Sequence, residues 1–154
     1  MRKRLIIGMS GASGALFTIE LLKQLQQYKE IIETHLIVTK GAEMTLEQET
    51  DYTLEQLYAF ADEVHDNYNI GAGPASGSYR TMGMIVIPCS MKTLVGIVSG
   101  YSDNLVLRAA DITLKERRKK ISLPENGLSR YGNLSNNRCL CWQEYIMIIW
   151  KRNS

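Results

Sequence analysis

An apolar stretch that stops at a cluster of small residues, close to the N-terminus, constrains the fold of this chain most. Residues 5–7 are Leu-Ile-Ile, and residues 8–15 read Gly-Met-Ser-Gly-Ala-Ser-Gly-Ala. Such a run favours a buried parallel strand that leads through a tight turn directly into a helix. Ser10 and Ser13 could cap that helix or donate to an anion, because a helix N-terminus attracts phosphate. The spacing matches neither G-x-G-x-x-G nor a Walker loop, so a phosphate site and a capped turn without ligand both stay open.

Helical and strand patterns alternate along the chain after this turn. Residues 15–27 carry apolar residues at helical spacing, residues 33–39 read as a second strand, and residues 84–88 read as another buried strand. Further helices are predicted at 42–49, at 54–60 behind a Thr53–Gln56 capping box, after Cys89, and at 105–118. The alternation predicts an α/β fold with a parallel sheet and right-handed crossovers.

Two strand-to-helix junctions are candidates for a ligand site. Thr39 stands at the carboxyl end of the second strand, and Ser90, Lys92 and Thr93 follow the strand at 84–88. Open parallel sheets bind ligands at this edge, so the junctions could hold a flavin or a nucleotide across the switch point. Cys89 reads better as a small buried residue than as a nucleophile, since it has no evident histidine partner in sequence.

Each charged residue along the chain could have a functional role or could simply face solvent. Glu49 reads as a solvated helix-end carboxylate, and His65 as a loop or short-strand histidine. Arg108, Asp111, Lys115 and Arg118 recur at helical spacing, and their cations could bind a phosphate or simply face solvent.

Composition excludes several classes of function. A net charge of +2, and a basic run at 115–120 without interleaved aromatic residues, argue against nucleic acid. The apolar run behind the basic N-terminus is short, so neither a signal peptide nor a membrane span fits. Three cysteines do not suggest a disulfide framework, and we expect a cytoplasmic protein. A length of 154 residues suits one domain, 1–154.

These segments together resemble the flavin prenyltransferase (UbiX-like) family, formerly described as aromatic-acid decarboxylases. The resemblance covers residues 3–120 and rests on segments in the same order, namely residues 8–15, 33–36, 76–78, 87–94, 100–104, 108–111 and 114–119. It implies a Rossmann-like, flavodoxin-like three-layer fold and a homo-dodecamer with sites shared between subunits.

The resemblance also implies an activity. A dimethylallyl group passes from dimethylallyl phosphate to N5 and C6 of reduced FMN, without a metal, and the prenylated FMN serves a UbiD-type decarboxylase. Ser13 and Glu49 would be catalytic, and Arg108 and Lys115 would bind the substrate phosphate. The residues that would hold FMN are Gly11, Ala12, Ser13, Thr39, Ser90, Met91, Lys92 and Thr93.

The chain departs from the family pattern after Lys120. Pro124 is not followed by the family's arginine, and the expected tyrosine and basic residue that grip the prenyl phosphate are missing. Residues 121–154 therefore look divergent or frame-shifted. An FMN-binding carrier subunit without transfer activity is the alternative function, and direct decarboxylation ranks below both. Cys139 and Cys141 lack a second pair of ligands, so no metal is expected.

Overall fold

The polypeptide forms one five-stranded parallel sheet with helices on both faces. The structure, a computed structural model, describes residues 1–124. The strands are β1 (Lys3–Met9), β2 (Ile32–Val38), β3 (Glu63–Asp66), β4 (Gly83–Cys89) and β5 (Lys119–Pro124). The helices are α1 (Ala15–Leu25), α2 (Lys40–Glu49), α3 (Leu54–Ala59), α4 (Met91–Ser99) and α5 (Leu105–Lys115). The strand order is β3-β2-β1-β4-β5, which places β1 at the centre.

Alternate residues of the strands build two separate cores. Leu5, Ile7 and Met9 of β1 face α1, α2 and α3, whereas Ile6 faces α4 and α5. Because successive side chains of a strand point to opposite faces, an apolar run such as residues 5–7 is buried on both sides only inside a three-layer fold. The predicted flavodoxin-like α/β architecture is confirmed.

Most of the predicted elements are confirmed, with small shifts at their ends. The helix predicted at 15–27 ends at Leu25 and continues as a short 3₁₀ turn, Gln26–Tyr28. The Thr53–Gln56 capping box is present, with both of its hydrogen bonds. Cys89 is completely buried at the end of β4, as expected of a small core residue.

The C-terminal boundary of α5 was predicted wrongly. The helix ends at Lys115 instead of Arg118, because Arg117 adopts a left-handed conformation with φ of 54°. Arg118 therefore leaves the polar helix face, and its guanidinium donates to the carbonyls of Gly77 and Tyr79. The strand at residues 119–124 was also missed. It takes up Lys119 and Lys120 from the basic run, and Lys120 is buried.

Within residues 1–124, no helix is both long enough and apolar enough to cross a membrane. The prediction of a single domain over 1–154 with a divergent end stays a prediction, because Cys139, Cys141 and the rest of 125–154 lie outside the described residues.

Candidate functional site

The site lies at the carboxyl edge of the sheet, between β1 and β4. The chain leaves β1 toward α1 on one face and leaves β4 toward α4 on the other, so this edge is a topological switch point. Ser10 ties the two loops together, since its buried hydroxyl donates to the Pro88 carbonyl at 2.8 Å and accepts from the Ser90 N–H at 2.7 Å. Ser10 is thus a structural bridge and neither caps α1 nor faces a ligand.

Helix α2 lies along the loop that follows β1 and touches it at both ends. At its first turn, Gly41 meets Gly11 so closely that a Cβ on Gly11 would stand 2.9 Å from the backbone of Gly41. At its last residue, the Glu49 carboxylate accepts hydrogen bonds from the N–H of Gly14 at 2.9 Å and of Ala15 at 3.2 Å. The loop is therefore held in place by one helix.

The start of α1 was expected either to bind a phosphate or to be capped without a ligand. The Glu49 carboxylate occupies this position. Gly14 is the N-cap of α1 with φ of 113°, and no side chain of the turn caps the helix. The N–H groups at the start of α1 instead bind a carboxylate of the protein itself, which is the anion that a helix N-terminus attracts. The interpretation of Glu49 as a merely solvated carboxylate is wrong.

Ser13 and Glu49 are brought together, although 36 positions of sequence separate them. The Gly14 N–H lowers the pKa of Glu49 most, and the Ser13 hydroxyl lowers it further. Burial raises this pKa by less than either of them lowers it, and the Ala15 N–H has the smallest lowering effect. Glu49 is consequently ionised at neutral pH and can accept a proton. Both side chains are exposed, so a ligand at this edge can reach them.

The remaining predicted cofactor residues begin the two other helices at this edge. Thr39 caps α2 through its hydroxyl, which accepts from the Ala42 N–H at 3.1 Å. Ser90 caps α4, accepting from the Thr93 N–H at 3.2 Å and donating to the Thr93 hydroxyl at 3.0 Å. Met91 and Lys92 form the first turn of α4, where Lys92 is exposed and Met91 is half-buried.

Within the described residues, Lys115 lies far from Ser13 and Glu49, whereas Arg108 stands in the first turn of α5, at the carboxyl edge. Helix α5 starts beside Asn67, just beyond the end of β3, and ends near the first residues of β5, so it runs from the carboxyl edge to the amino edge. Lys115 is therefore separated from Ser13 by about the length of β1, roughly 20 Å. Both cations are exposed and lie two turns apart on the same helix.

Sequence reasoning missed the residues that fix this geometry. The sequence predicts Ser10 as a cap or an anion donor, and it gives Gly41 no role. Their contacts join positions 30 to 80 residues apart, for which a single sequence contains no signal. A cavity of about 550 Å³ lies at the other, amino edge and is lined in part by Lys23, Thr34, Phe60 and Asp62. It shares no residue with the site.

Comparisons with known proteins show what the sequence and the fold are similar to. The Flavoprotein family model matches residues 1–138. The flavin prenyltransferase UbiX of Escherichia coli (strain K12) is 52% identical over 116 residues, which are 75% of this chain and 61% of that protein. Among solved structures, AnUbiX in complex with FMN and dimethylallyl pyrophosphate superposes with a TM-score of 0.80 at 45% identity, covering 84% of this chain and 68% of that one. A dodecameric FMN-dependent UbiX-like decarboxylase from Escherichia coli O157:H7 gives a TM-score of 0.78 at 50% identity, over 82% and 68% of the two chains.

A parallel sheet with its polar loops at the β1–β4 switch point defines an α/β protein of the flavodoxin-like class. Taken with the matches in sequence and fold, the chain belongs to the Flavoprotein family, and it is similar to UbiX-type flavin prenyltransferases. It spans 61% of the length of the curated Escherichia coli relative.

Proposed function

We propose that this protein transfers a dimethylallyl group from dimethylallyl phosphate to reduced FMN. The observation that carries the proposal is the Ser13–Glu49 pair, seated on the N–H groups of Gly14 and Ala15 at the switch point. The solved relative AnUbiX, which shares this fold at 45% identity, binds FMN and dimethylallyl pyrophosphate.

The residues at the carboxyl edge fit FMN. Hydroxyls of Thr39, Ser90 and Thr93 stand at the starts of α2 and α4, and the exposed Lys92 adds a positive charge. The first N–H groups of a helix have no partner within it, so the start of α4 suits the FMN phosphate. Gly11, Ala12 and Ser13 form the wall on the β1 side.

FMN, when bound in its reduced form, supplies the nucleophilic N5 and C6 atoms that receive the prenyl group. The ionised Glu49 accepts a proton there, and Ser13 holds the Glu49 carboxylate in position through its hydroxyl. Loss of phosphate from an allylic carbon develops negative charge on the leaving group, which Arg108 and Lys115 neutralise. Because Lys115 lies at the amino edge, away from the Ser13–Glu49 pair of its own chain, it serves the site of a neighbouring subunit.

A homo-oligomer follows from this division of the site, and the Escherichia coli O157:H7 relative is dodecameric. In the same proposal the prenylated FMN is passed to a UbiD-type decarboxylase. A cytoplasmic location belongs to the proposal as well, since few cysteines and a reduced flavin suit a reducing compartment.

The test is anaerobic incubation of the full chain with reduced FMN and dimethylallyl phosphate, followed by mass spectrometry of the flavin. We expect a flavin heavier by one prenyl unit. Flavin that stays bound but unmodified would instead support the carrier function, and absence of bound flavin would contradict both functions. A parallel incubation with the pyrophosphate identifies the preferred donor.

A further inference from the structure

A second polar cluster lies on the two strands β2 and β3 at one side of the sheet, and the proposed function does not use it. Neighbouring strands build it, because His35 of β2 is paired with Glu63 of β3 and Ile37 is paired with His65. Residues two apart in a strand face the same side, so His35, Glu63 and His65 all project toward the α4–α5 layer, as Ile37 does. The chain has two histidines, and both are in this cluster.

The donor atoms of these three side chains have the separations of metal ligands. His35 Nδ1 lies 2.9 Å from His65 Nε2 and 3.5 Å from Glu63 Oε2, and His65 Nε2 lies 3.6 Å from Glu63 Oε1. Ligands of a tetrahedral zinc ion at bond lengths of about 2.0–2.1 Å are roughly 3.3 Å apart. The observed separations fall on both sides of that value, so a small shift of the side chains would centre an ion.

The Glu33 carboxylate fixes the orientation of the His35 ring by contacting Nε2, the ring nitrogen that faces away from the cluster. His35 is completely buried, and its Nε2 lies 2.9 Å from Glu33 Oε1, which itself lies 4.0 Å from the Arg4 guanidinium. A proton on Nε2, donated to Glu33, leaves the lone pair of Nδ1 directed at the cluster. In metal sites, the histidine ligand commonly donates its other ring N–H to a carboxylate in this way.

Three polar groups converge on Nδ1 of His35. The nitrogen has one lone pair, yet His65 Nε2, Glu63 Oε2 and the Tyr79 hydroxyl, at 3.1 Å, all surround it. A metal ion takes one lone pair from each ligand and removes this competition. The side chain of Glu63 is 52% exposed and that of His65 is 10% exposed, so an ion can enter past Glu63.

We propose that His35, His65 and Glu63 form a binding site for a divalent transition metal of the zinc type. Two imidazoles and one carboxylate suit zinc and cobalt better than calcium or magnesium, which prefer oxygen ligands alone. The bound ion would clamp the four-residue edge strand β3 to β2. It would act independently of flavin, because the site and the Ser13–Glu49 pair share no residue.

The experiment is a titration of the full chain with Co²⁺ and Zn²⁺ after treatment with a chelator. Cys139→Ser and Cys141→Ser provide the background, so that no thiolate of the C-terminal residues contributes a ligand. We expect one ion per chain, a visible absorption band of tetrahedral Co²⁺ that Zn²⁺ abolishes, and a higher melting temperature with Zn²⁺.

Variants identify the ligands. Glu63→Gln and His65→Asn should each weaken Co²⁺ binding by roughly tenfold or more, and Glu33→Gln by about 10–100-fold. Glu55→Gln, an exposed carboxylate on α3, is the matched control and should leave binding unchanged. Because Glu63 is half exposed, its variant tests the site even where His65→Asn does not fold.

Two outcomes would overturn the proposal. One is the absence of stoichiometric Co²⁺ or Zn²⁺ binding to the folded chain, which would make the cluster a direct histidine–histidine hydrogen bond. The other is binding that Glu63→Gln leaves unchanged, which would place the ion elsewhere. Neither outcome depends on flavin, so prenyl transfer can succeed or fail separately.

Discussion

A single carboxylate links the two helices that form the β1 side of the site. Glu49 ends α2, and its partners Gly14 and Ala15 start α1. Because an exposed carboxylate at a helix end is common, its sequence context indicates nothing unusual. Only the fold shows that the residue binds the start of another helix and the hydroxyl of Ser13.

The first prediction concerns the chemistry of this residue. Glu49→Gln keeps the size of the side chain but removes the charge that accepts a proton. We expect the rate of prenyl transfer in a single turnover to fall by about 10²–10⁴-fold, while the affinity for FMN changes little. Glu47→Gln, an exposed neighbour on α2, should retain the wild-type rate. A variant Glu49→Gln with normal transfer would contradict the assigned role.

The lowered pKa of Glu49 also predicts how stability depends on pH. The unfolded carboxyl has an ordinary pKa of 4.5, and the folded one titrates at lower pH. The contribution of the ionised form is therefore complete above about pH 4.5 and is lost as the pH falls toward the folded pKa. Melting temperatures of the wild type and Glu49→Gln should differ by a constant amount from pH 7 to about 4.5 and converge below. A difference that grows on acidification would contradict this assignment.

A glycine pair predicts a packing effect at the same loop. Alanine at Gly11 would place its Cβ 2.9 Å from the Gly41 backbone, which cannot yield as a side chain can. We expect Gly11→Ala to lower the free energy of unfolding by about 1–3 kcal/mol and to weaken FMN binding. Gly71→Ala is the control, because its Cβ would meet only the Asn69 side chain, at 3.6 Å. Urea unfolding and flavin titration measure both effects, and equal stability of the two variants would refute the close contact.

The start of α5 is held by a residue far outside the helix. Asn104 caps the helix locally, while the buried Asn67, 37 positions earlier than Asn104, accepts hydrogen bonds from the N–H groups of Leu105 and Val106. One of these bonds uses the side chain of Asn67 and the other its backbone carbonyl. Asn67 thereby fixes the start of α5 against the end of β3.

Removing that side chain should destabilise the fold. Asn67→Ala leaves the buried Val106 N–H without its acceptor, which costs about 1–3 kcal/mol. Asn69→Ala, at an exposed position in the same loop, should change the free energy of unfolding by less than about 0.5 kcal/mol. Urea denaturation compares the two, and the prediction fails if they are equally stable.

The sequence predicted elements well where local chemistry decides them. The apolar run before Gly8, the Thr53–Gln56 capping box and the cap at Ser90 each act within a few residues, so the strands and helices there were found. The end of α5 and strand β5 were not found. Helical propensity continues through Arg118, but Arg117 is left-handed and Arg118 binds the carbonyls of Gly77 and Tyr79 outside the helix. The assembly of His35 with His65 was likewise invisible, because strand register brings them together.

For the whole molecule, the decisive observation is that the proposed catalytic pair and one of the two proposed phosphate-binding residues, Lys115, lie at different edges of the sheet. Ser13 and Glu49 contact each other at the carboxyl edge, whereas Lys115 ends α5 at the amino edge. Within the described residues, one chain therefore does not bring Lys115 to the Ser13–Glu49 pair. Exposed apolar residues on α1 and α4, among them Leu16, Phe17, Val95 and Val98, are consistent with further subunit contacts.

Mixed oligomers test this arrangement. Glu49→Gln and Lys115→Ala should each be inactive, but co-expression in equal amounts should restore roughly a quarter of the wild-type activity. Each shared site takes Glu49 from one chain and Lys115 from another, and each of these residues is intact in half of the chains. Co-expression of Glu49→Gln with Ser13→Ala should restore none, since those residues belong to the same chain. Complementation by the second pair, or none by the first, would contradict the shared site.

The central position of β1 determines how the chain can fold while it is being synthesised. β1 pairs with β2 soon after both are made, but its other neighbour, β4, and the Ser10–Ser90 bond lie 80 positions apart along the chain. At 5–20 residues per second, a ribosome needs roughly 4–16 s to cover that interval. During those seconds one edge of an apolar strand is unpaired, so the nascent chain is most exposed to aggregation before β4 emerges.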